Sequence, residues 1–133
     1  MQEVRIIELP KKSDIRGNLT FLENFSQIPF QIKRVFWTYD VPGGESRGGH
    51  AYRDQYECII ALSGSFDVIV TDKTGVKIKY SLNRSYFGLF LPARTWRQME
   101  NFSTNSLGLH LSSSVFDEND YIRDFEVFKN LGV

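Results

Sequence analysis

Short runs rich in apolar, β-branched and aromatic residues recur along most of the chain. They are separated by turn-forming sequences such as Pro42-Gly43-Gly44 and Asp72-Lys73-Thr74-Gly75. This rhythm of short segments and turns is typical of a β-sandwich or β-barrel. We therefore predict strands over residues 33–39, 56–62, 65–71, 76–82, 87–91 and 106–111.

The hydrophobic pattern changes its period near the C-terminus. Apolar residues recur at helical spacing from Tyr121 to Phe128, after an acidic start at Asp117 and Glu118. Acidic side chains in a first turn favour a helix because they complement its dipole. The pattern therefore predicts a C-terminal helix over residues 117–131, and an otherwise all-β protein.

Length and charge narrow the class of protein. A chain of 133 residues can bury about two thirds of its unfolded surface, so we predict one domain over residues 1–133. The 16 basic and 16 acidic residues cancel, which gives no electrostatic case for nucleic acid or a membrane as partner. The single cysteine, Cys58, and the lack of an apolar signal segment near the start lead us to expect a cytoplasmic protein.

Two spaced motifs lie between the predicted strands. In the first, five residues separate Gly44 from His50, and Tyr52 and Glu57 precede Gly64. This spacing resembles the first cupin motif, and the second cupin motif has its counterpart in Pro92, Arg94, Arg97 and Asn101. The resemblance implies a cupin fold, an RmlC-like jelly-roll antiparallel β-barrel.

The metal ligands of that motif pair are incomplete. Three histidines and one carboxylate form the usual cupin site, and here only His50 and Glu57 remain, with Tyr52 and Arg97 in the other two positions. A permanently charged guanidinium repels a cation, and softer divalent metals need nitrogen-rich shells. We predict no metal and no other cofactor, which leaves His50 free for acid/base chemistry.

A more specific family resemblance covers nearly the whole chain. The segments that carry it include IKRV, RGGHA and DYIR, which occur in register with the cupin motifs. They resemble the WxcM-like, or FdtA-type, sugar 3,4-ketoisomerases. The resemblance implies a metal-free homodimer that moves the keto group of dTDP-4-keto-6-deoxyglucose from C4 to C3, in the biosynthesis of deoxy-amino sugars.

The residues suggest how such an isomerisation would work. His50 can remove and return a proton near neutral pH, because the reference pKa of histidine is about 6.5. Arg97 stays protonated, so it can stabilise a negatively charged enediolate, or it can form an ion pair with Glu57. Tyr52 can donate a hydrogen bond.

The chain differs from most members of this family at two positions. Most members have a histidine where this chain has Tyr52 and a tyrosine where it has Phe36. A phenol with a pKa near 10 is a weak proton carrier at neutral pH. These departures leave two alternatives open, an epimerase that uses the same pocket and a non-catalytic cupin that binds a nucleotide sugar.

The remaining expectations concern binding and assembly. The resemblance points to Arg16, Arg34 and Arg47 as substrate-binding residues, since a pyrophosphate favours bidentate donors. His110 belongs to no motif, and we expect a structural role for it. Ile69 interrupts the polar face of its predicted strand, which favours a dimer interface that would cover it.

Overall fold

The computed structural model describes residues 3–132, and most of the regular structure is antiparallel β-sheet. The strands are β1 (Arg5–Glu8), β2 (Lys11–Asp14), β3 (Gly17–Thr20), β4 (Arg34–Tyr39), β5 (Arg47–Tyr52), β6 (Glu57–Ser63), β7 (Phe66–Thr71), β8 (Lys77–Leu82), β9 (Phe87–Leu91), β10 (Trp96–Glu100), β11 (Leu107–Ser112) and β12 (Tyr121–Ile122). A 3-10 helix (Glu118–Asp120) precedes β12, and a short α-helix, α1 (Phe125–Lys129), follows it.

Two five-stranded sheets face each other. The Glu57 sheet has the strand order β1-β9-β6-β11-β4, and the His50 sheet has the order β12-β5-β10-β7-β8. Strands β2 and β3 form a separate hairpin. The crossing connections between the sheets agree with the predicted jelly-roll of the cupin class.

The core explains why β6 is buried on both faces. Ile59 and Ala61 face the opposite sheet and pack in one cluster with Val68 and Met99 from it. The outward-facing Cys58 and Ile60 are covered by the chain before β4, whose buried residues Leu9, Ile28 and Phe30 form a second cluster with them. An uninterrupted apolar run therefore suits β6, because neither face meets water.

The turn after β6 depends on glycine. Gly64 has a φ of +66°, and a Cβ there would clash with Ser103 Oγ and lie 2.9 Å from Ser106 Cα. Only glycine fits both the left-handed backbone and the close approach. This is the physical reason for the last glycine of the first motif.

All six predicted strands are present, with ends within one residue of those expected. The prediction missed β1, β2, β3, β5, β10 and β12. The C-terminal helix is confirmed but much shorter than predicted, because residues 118–122 form the 3-10 helix and β12 instead. Asp120 explains the difference: its buried carboxylate accepts hydrogen bonds from the backbone N–H of Asp54 and the side chain of Gln55, at 2.9 Å and 3.0 Å, and so holds this segment as a strand beside β5.

No helix among residues 3–132 is long and apolar enough to cross a membrane.

Candidate active site

A cavity of about 270 Å³ opens between the two sheets at the positions of the cupin motifs. The His50 sheet contributes His50 and Tyr52 from β5, Arg97 from β10 and Tyr121 from β12. The Glu57 sheet contributes residues from three strands, among them Phe36, Thr38, Glu57 and His110. Strand pairing places His50 directly opposite Arg97. The fold therefore brings together three of the predicted site residues, His50, Tyr52 and Arg97.

A buried ion pair joins the sheets at the floor of this cavity. Arg97 Nη1 donates to Glu57 Oε1 at 2.7 Å, and the two side chains are 1% and 2% exposed. Arg97 Nε donates to the carbonyl of Thr95 at 3.0 Å, which fixes the plane of the guanidinium. The ion pair predicted as one role of Arg97 is therefore present.

Glu57 has a second neighbour, the imidazole of His110. His110 Nδ1 lies 3.3 Å from Glu57 Oε2, although the two atoms are not aligned as a hydrogen bond. Burial alone would raise the pKa of Glu57, but His110 and Arg97 together lower it to about 2. Glu57 is therefore ionised throughout the physiological range.

His50 is neutral in this environment. Burial, and then the nearby Arg97 guanidinium, lower the pKa of His50 to about 3. Its Nε2 atom is buried without a hydrogen-bond partner among the described residues. A neutral imidazole with a free ring nitrogen can accept a proton or a hydrogen bond from a bound molecule.

Two aromatic rings of the His50 sheet lie against that imidazole. The His50 ring lies 4.7 Å from the Tyr52 ring and 5.1 Å from the Tyr121 ring, measured between centroids. The Tyr52 hydroxyl donates to the Tyr121 hydroxyl at 3.3 Å. Burial raises the pKa of Tyr52 well above its usual value, so the phenol remains protonated and acts as a hydrogen-bond donor.

The predicted binding arginines occupy three different environments. Arg47 is exposed and lines the mouth of the cavity. Arg34 lies outside the cavity lining, where its Nη2 donates to Gln55 at 3.2 Å and to the Tyr121 hydroxyl at 3.4 Å. Arg16 lies in the β2–β3 turn, paired with Asp14 at 2.8 Å, and is not part of the cavity in this chain.

Sequence reasoning missed several lining residues. Tyr121 and Arg123 belong to the DYIR segment, which the helical spacing led us to place in a helix; its presence among the family-like segments was the signal that could have found them. His110 is also in the wall, where its ring stacks on Phe36 at 4.4 Å. Nothing in the sequence near His110 indicates this position, because pairing between β4 and β11 creates it.

The lining residues do not resemble a metal shell. Residues 3–132 contain no group of three or more His, Cys, Asp or Glu side chains that could hold a metal ion. Glu57 already forms an ion pair with Arg97 and lies against His110, and the Arg97 guanidinium occupies a position where a ligand would be needed.

Comparison with known proteins agrees with this arrangement. The model of the FdtA family, described as "WxcM-like, C-terminal", matches residues 2–132. The chain belongs to this family. A curated relative from Aneurinibacillus thermoaerophilus, TDP-4-oxo-6-deoxy-alpha-D-glucose-3,4-oxoisomerase, is 35% identical over 127 residues, which cover 96% of this chain and 91% of the relative.

Solved structures of sugar 3,4-ketoisomerases share the fold over nearly their full length. The WlaRB TDP-quinovose 3,4-ketoisomerase from Campylobacter jejuni has a TM-score of 0.92 at 36% identity, covering 98% of this chain and 100% of that protein. QdtA, a sugar 3,4-ketoisomerase from Thermoanaerobacterium thermosaccharolyticum solved in complex with TDP, has a TM-score of 0.92 at 31% identity, with coverage of 96% and 92%. The predicted cupin-type fold and family are thus confirmed.

Proposed function

We propose that this WxcM-like protein is a sugar 3,4-ketoisomerase that moves the keto group of a TDP-linked 4-keto-6-deoxyhexose from C4 to C3. The observation that carries the proposal is a neutral His50 that lines the cavity opposite a buried guanidinium, in a chain 35% identical to a TDP-sugar oxoisomerase. The reaction is an acid/base isomerisation, and the residues can perform it without a metal or another cofactor. Its product would serve the biosynthesis of deoxy-amino sugars.

His50 is the base in this proposal. A hydrogen on C3 is acidic because the adjacent C4 ketone accepts the electrons as an enolate. His50 removes that hydrogen as a proton and later delivers a proton to C4, which one imidazole can do from one face of the sugar. The free Nε2 atom is the position that accepts the proton.

Arg97 stabilises the charge that develops on the sugar oxygens. Its Nη2 atom is buried without a protein partner among the described residues, while its Nη1 and Nε atoms are held by Glu57 and Thr95. A donor fixed in this way needs no reorganisation when the enediolate forms. Tyr52 places a phenol near the same site, in the position where most family members have histidine, and its hydroxyl would turn from Tyr121 to donate to the substrate.

The nucleotide lies at the mouth of the cavity in this proposal. Arg47 and Arg123 line that end, and Arg123 is exposed, with its guanidinium over the Tyr121 ring at 4.3 Å. Guanidinium groups suit a diphosphate because they donate two parallel hydrogen bonds. Arg34 acts less directly, since it holds the Tyr121 hydroxyl.

We also infer a homodimer. Ile69 is half-buried in the single chain, but Val35, Trp37 and Tyr39 form an exposed apolar row on the outer face of β4, and Trp37 is 58% exposed. The β2–β3 hairpin projects from the chain, and Ile15 at its tip is wholly exposed. A second copy would cover such surfaces, and Arg16 could contact substrate only in the cavity of that second copy.

The test is a direct assay with a matched variant. Purified protein and its His50→Asn variant are incubated with TDP-4-keto-6-deoxyglucose in deuterated water, and the products are read by NMR. We expect the wild type to form the 3-keto sugar, and the variant to lose at least about 100-fold in turnover while its circular dichroism and TDP affinity are retained. Arg97→Lys should lose less turnover than His50→Asn. Lysine retains the positive charge, although it lacks the planar guanidinium.

Three other outcomes would contradict parts of this proposal. If the wild type binds TDP but neither converts nor labels the sugar, the protein is a binding module. A product epimerised at C3 or C5 with the keto group still at C4 would indicate an epimerase. Equal activity in the wild type and His50→Asn would exclude His50 as the base.

A further inference from the structure

A chain of polar atoms runs along the cavity wall opposite His50. His110 Nε2 lies 2.7 Å from Thr38 Oγ1, and His110 Nδ1 lies 3.3 Å from Glu57 Oε2. Thr38 is half-buried and lines the cavity, whereas His110 and Glu57 are 4% and 2% exposed. The hydroxyl of Thr38 is therefore the end of this chain that a bound sugar can reach.

The isomerisation requires a second proton carrier. Moving a keto group between adjacent carbons transfers one proton from C3 to C4 and another from the C3 oxygen to the C4 oxygen. His50 can carry the first proton, but a base placed at the carbons cannot also serve the oxygens in the same step. Arg97 cannot carry the second, because its guanidinium does not deprotonate in proteins.

Resting on the proposed ketoisomerase function, we propose that Thr38 is a catalytic residue that relays the oxygen proton, with His110 as the positioning residue that supplies and takes back that proton. The Glu57 carboxylate lies 3.3 Å from Nδ1, so it faces the imidazole on the side away from Thr38. Glu57 thus connects the proton relay with the stabilisation of the enediolate: its Oε2 atom faces His110, and its Oε1 atom holds Arg97.

The proton transfers balance over one turnover. In the first half, His50 takes the C3 hydrogen as a proton, the C3–H electrons form the C3=C4 bond, and the C4 oxygen takes the Thr38 hydroxyl proton. His110 Nε2–H then reprotonates Thr38. In the second half, the C3 hydroxyl gives its proton through Thr38 to His110, its electrons form the C3=O bond, and C4 takes the proton from His50.

The geometry favours a relay over simple packing. A histidine that only filled the wall could stack on Phe36 with its polar atoms bonded to backbone groups, but here Nε2 is directed at a side-chain hydroxyl that borders the cavity. Threonine hydroxyls can donate and accept at once, which a relay between two oxygens requires. Strand pairing of β4 with β11 sets Phe36 opposite His110 and leaves Thr38 two residues further along β4.

The test compares threonine variants that differ in the hydroxyl alone. Thr38→Val keeps the shape but removes the hydroxyl, and we expect a roughly 100-fold loss in kcat with KM for TDP-4-keto-6-deoxyglucose within about threefold. Thr38→Ser should recover kcat to within about threefold of the wild type. Thr104→Val, at an exposed turn residue, serves as the control and should be unchanged. If Thr38→Val does not fold, Thr38→Ala replaces it.

A double variant separates a relay from a structural contact. His110→Gln should lose kcat by a similar factor, and Thr38→Val combined with His110→Gln should be no more than about twofold slower than the slower single variant, because both changes break the same relay. Losses that multiply would overturn the relay. A Thr38→Val enzyme with wild-type kcat would also overturn the relay, but it would leave the proposed ketoisomerase function intact. A wild-type protein without activity would overturn both the relay and the ketoisomerase function.

Discussion

Glu57 is the residue on which the electrostatics of the cavity depend. It is the only carboxylate among the described lining residues, and it bonds Arg97 while contacting His110. A buried carboxylate is stable only when cations and hydrogen bonds compensate its charge. The motif position that holds a metal ligand in other cupins thus holds an anion between two side chains here.

Replacing Glu57 should reveal this dependence. Glu57→Gln leaves the Arg97 cation buried without a counter-ion, and we expect it to lower the free energy of unfolding by about 3 to 5 kcal/mol. Glu118→Gln is the matched control, because Glu118 pairs with Arg123 at the surface, with both side chains more than half exposed. That change should leave the urea unfolding midpoint nearly unchanged, because exposed ion pairs contribute little. Equal costs would show that the Arg97–Glu57 pair has no special role.

The titration of His50 should be shifted far below its usual range. Nitrogen chemical shifts of the imidazole should report a neutral ring down to pH 5, since the pKa of His50 is lowered to about 3. The unfolded chain takes up this proton near pH 6.5, so the stability contributed by neutral His50 is complete above 6.5 and is lost as pH falls towards 3. His50→Asn should therefore lose stability less steeply between pH 6.5 and 5. A His50 signal that titrates near pH 6.5 would contradict this prediction.

At the scale of elements, the C-terminal segment forms one side of the cavity, because it contributes Tyr121 and Arg123. Two interactions hold the segment in place. The buried carboxylate of Asp120 is hydrogen-bonded to the loop before β6, and α1 packs on the outer face of the His50 sheet. In the packing of α1, Phe128 is buried with Ala51, and its ring centroid lies 5.8 Å from that of Trp96. A helix of five residues would not be stable without this packing.

Truncating Phe128 should therefore release the segment. Phe128→Ala removes most of the apolar contact of α1, and we expect a loss of about 3 kcal/mol in the free energy of unfolding, with faster amide exchange from Tyr121 onward. Phe25→Ala is the control, because Phe25 is 73% exposed, and it should change stability by less than about 0.5 kcal/mol. Unchanged exchange in Phe128→Ala would mean that the hydrogen bonds of Asp120 alone hold the segment.

At the scale of the whole molecule, the exposed apolar row on β4 predicts self-association. Sedimentation should give about twice the chain mass of 15.4 kDa. Val35→Glu places a charge in this row and should shift the protein towards monomer, whereas Val76→Glu, at an exposed residue before β8, should not. A wild-type monomer at micromolar concentration would exclude the dimer. A dimer unaffected by Val35→Glu would place the interface elsewhere.

The sequence by itself determined the properties that depend on local pattern and on residue type. Short apolar runs between turns placed six strands, and the motif spacing brought His50, Tyr52 and Arg97 to one cavity. Spacing can do this because side chains alternate between the two faces of a strand, so a residue's position in a strand decides whether it faces inward. The charge of Arg97 likewise follows from its chemistry and needs no structure.

Only the tertiary structure decided which distant residues meet. Pairing of β4 with β11 brings Thr38 to His110, although they are 72 positions apart in the sequence. The buried carboxylate of Asp120 turned a segment with helical spacing into a strand, because satisfying a buried charge outweighs a weak local preference. The protonation states of His50 and Glu57 are also properties of the fold, since they depend on burial and on charges contributed by other strands.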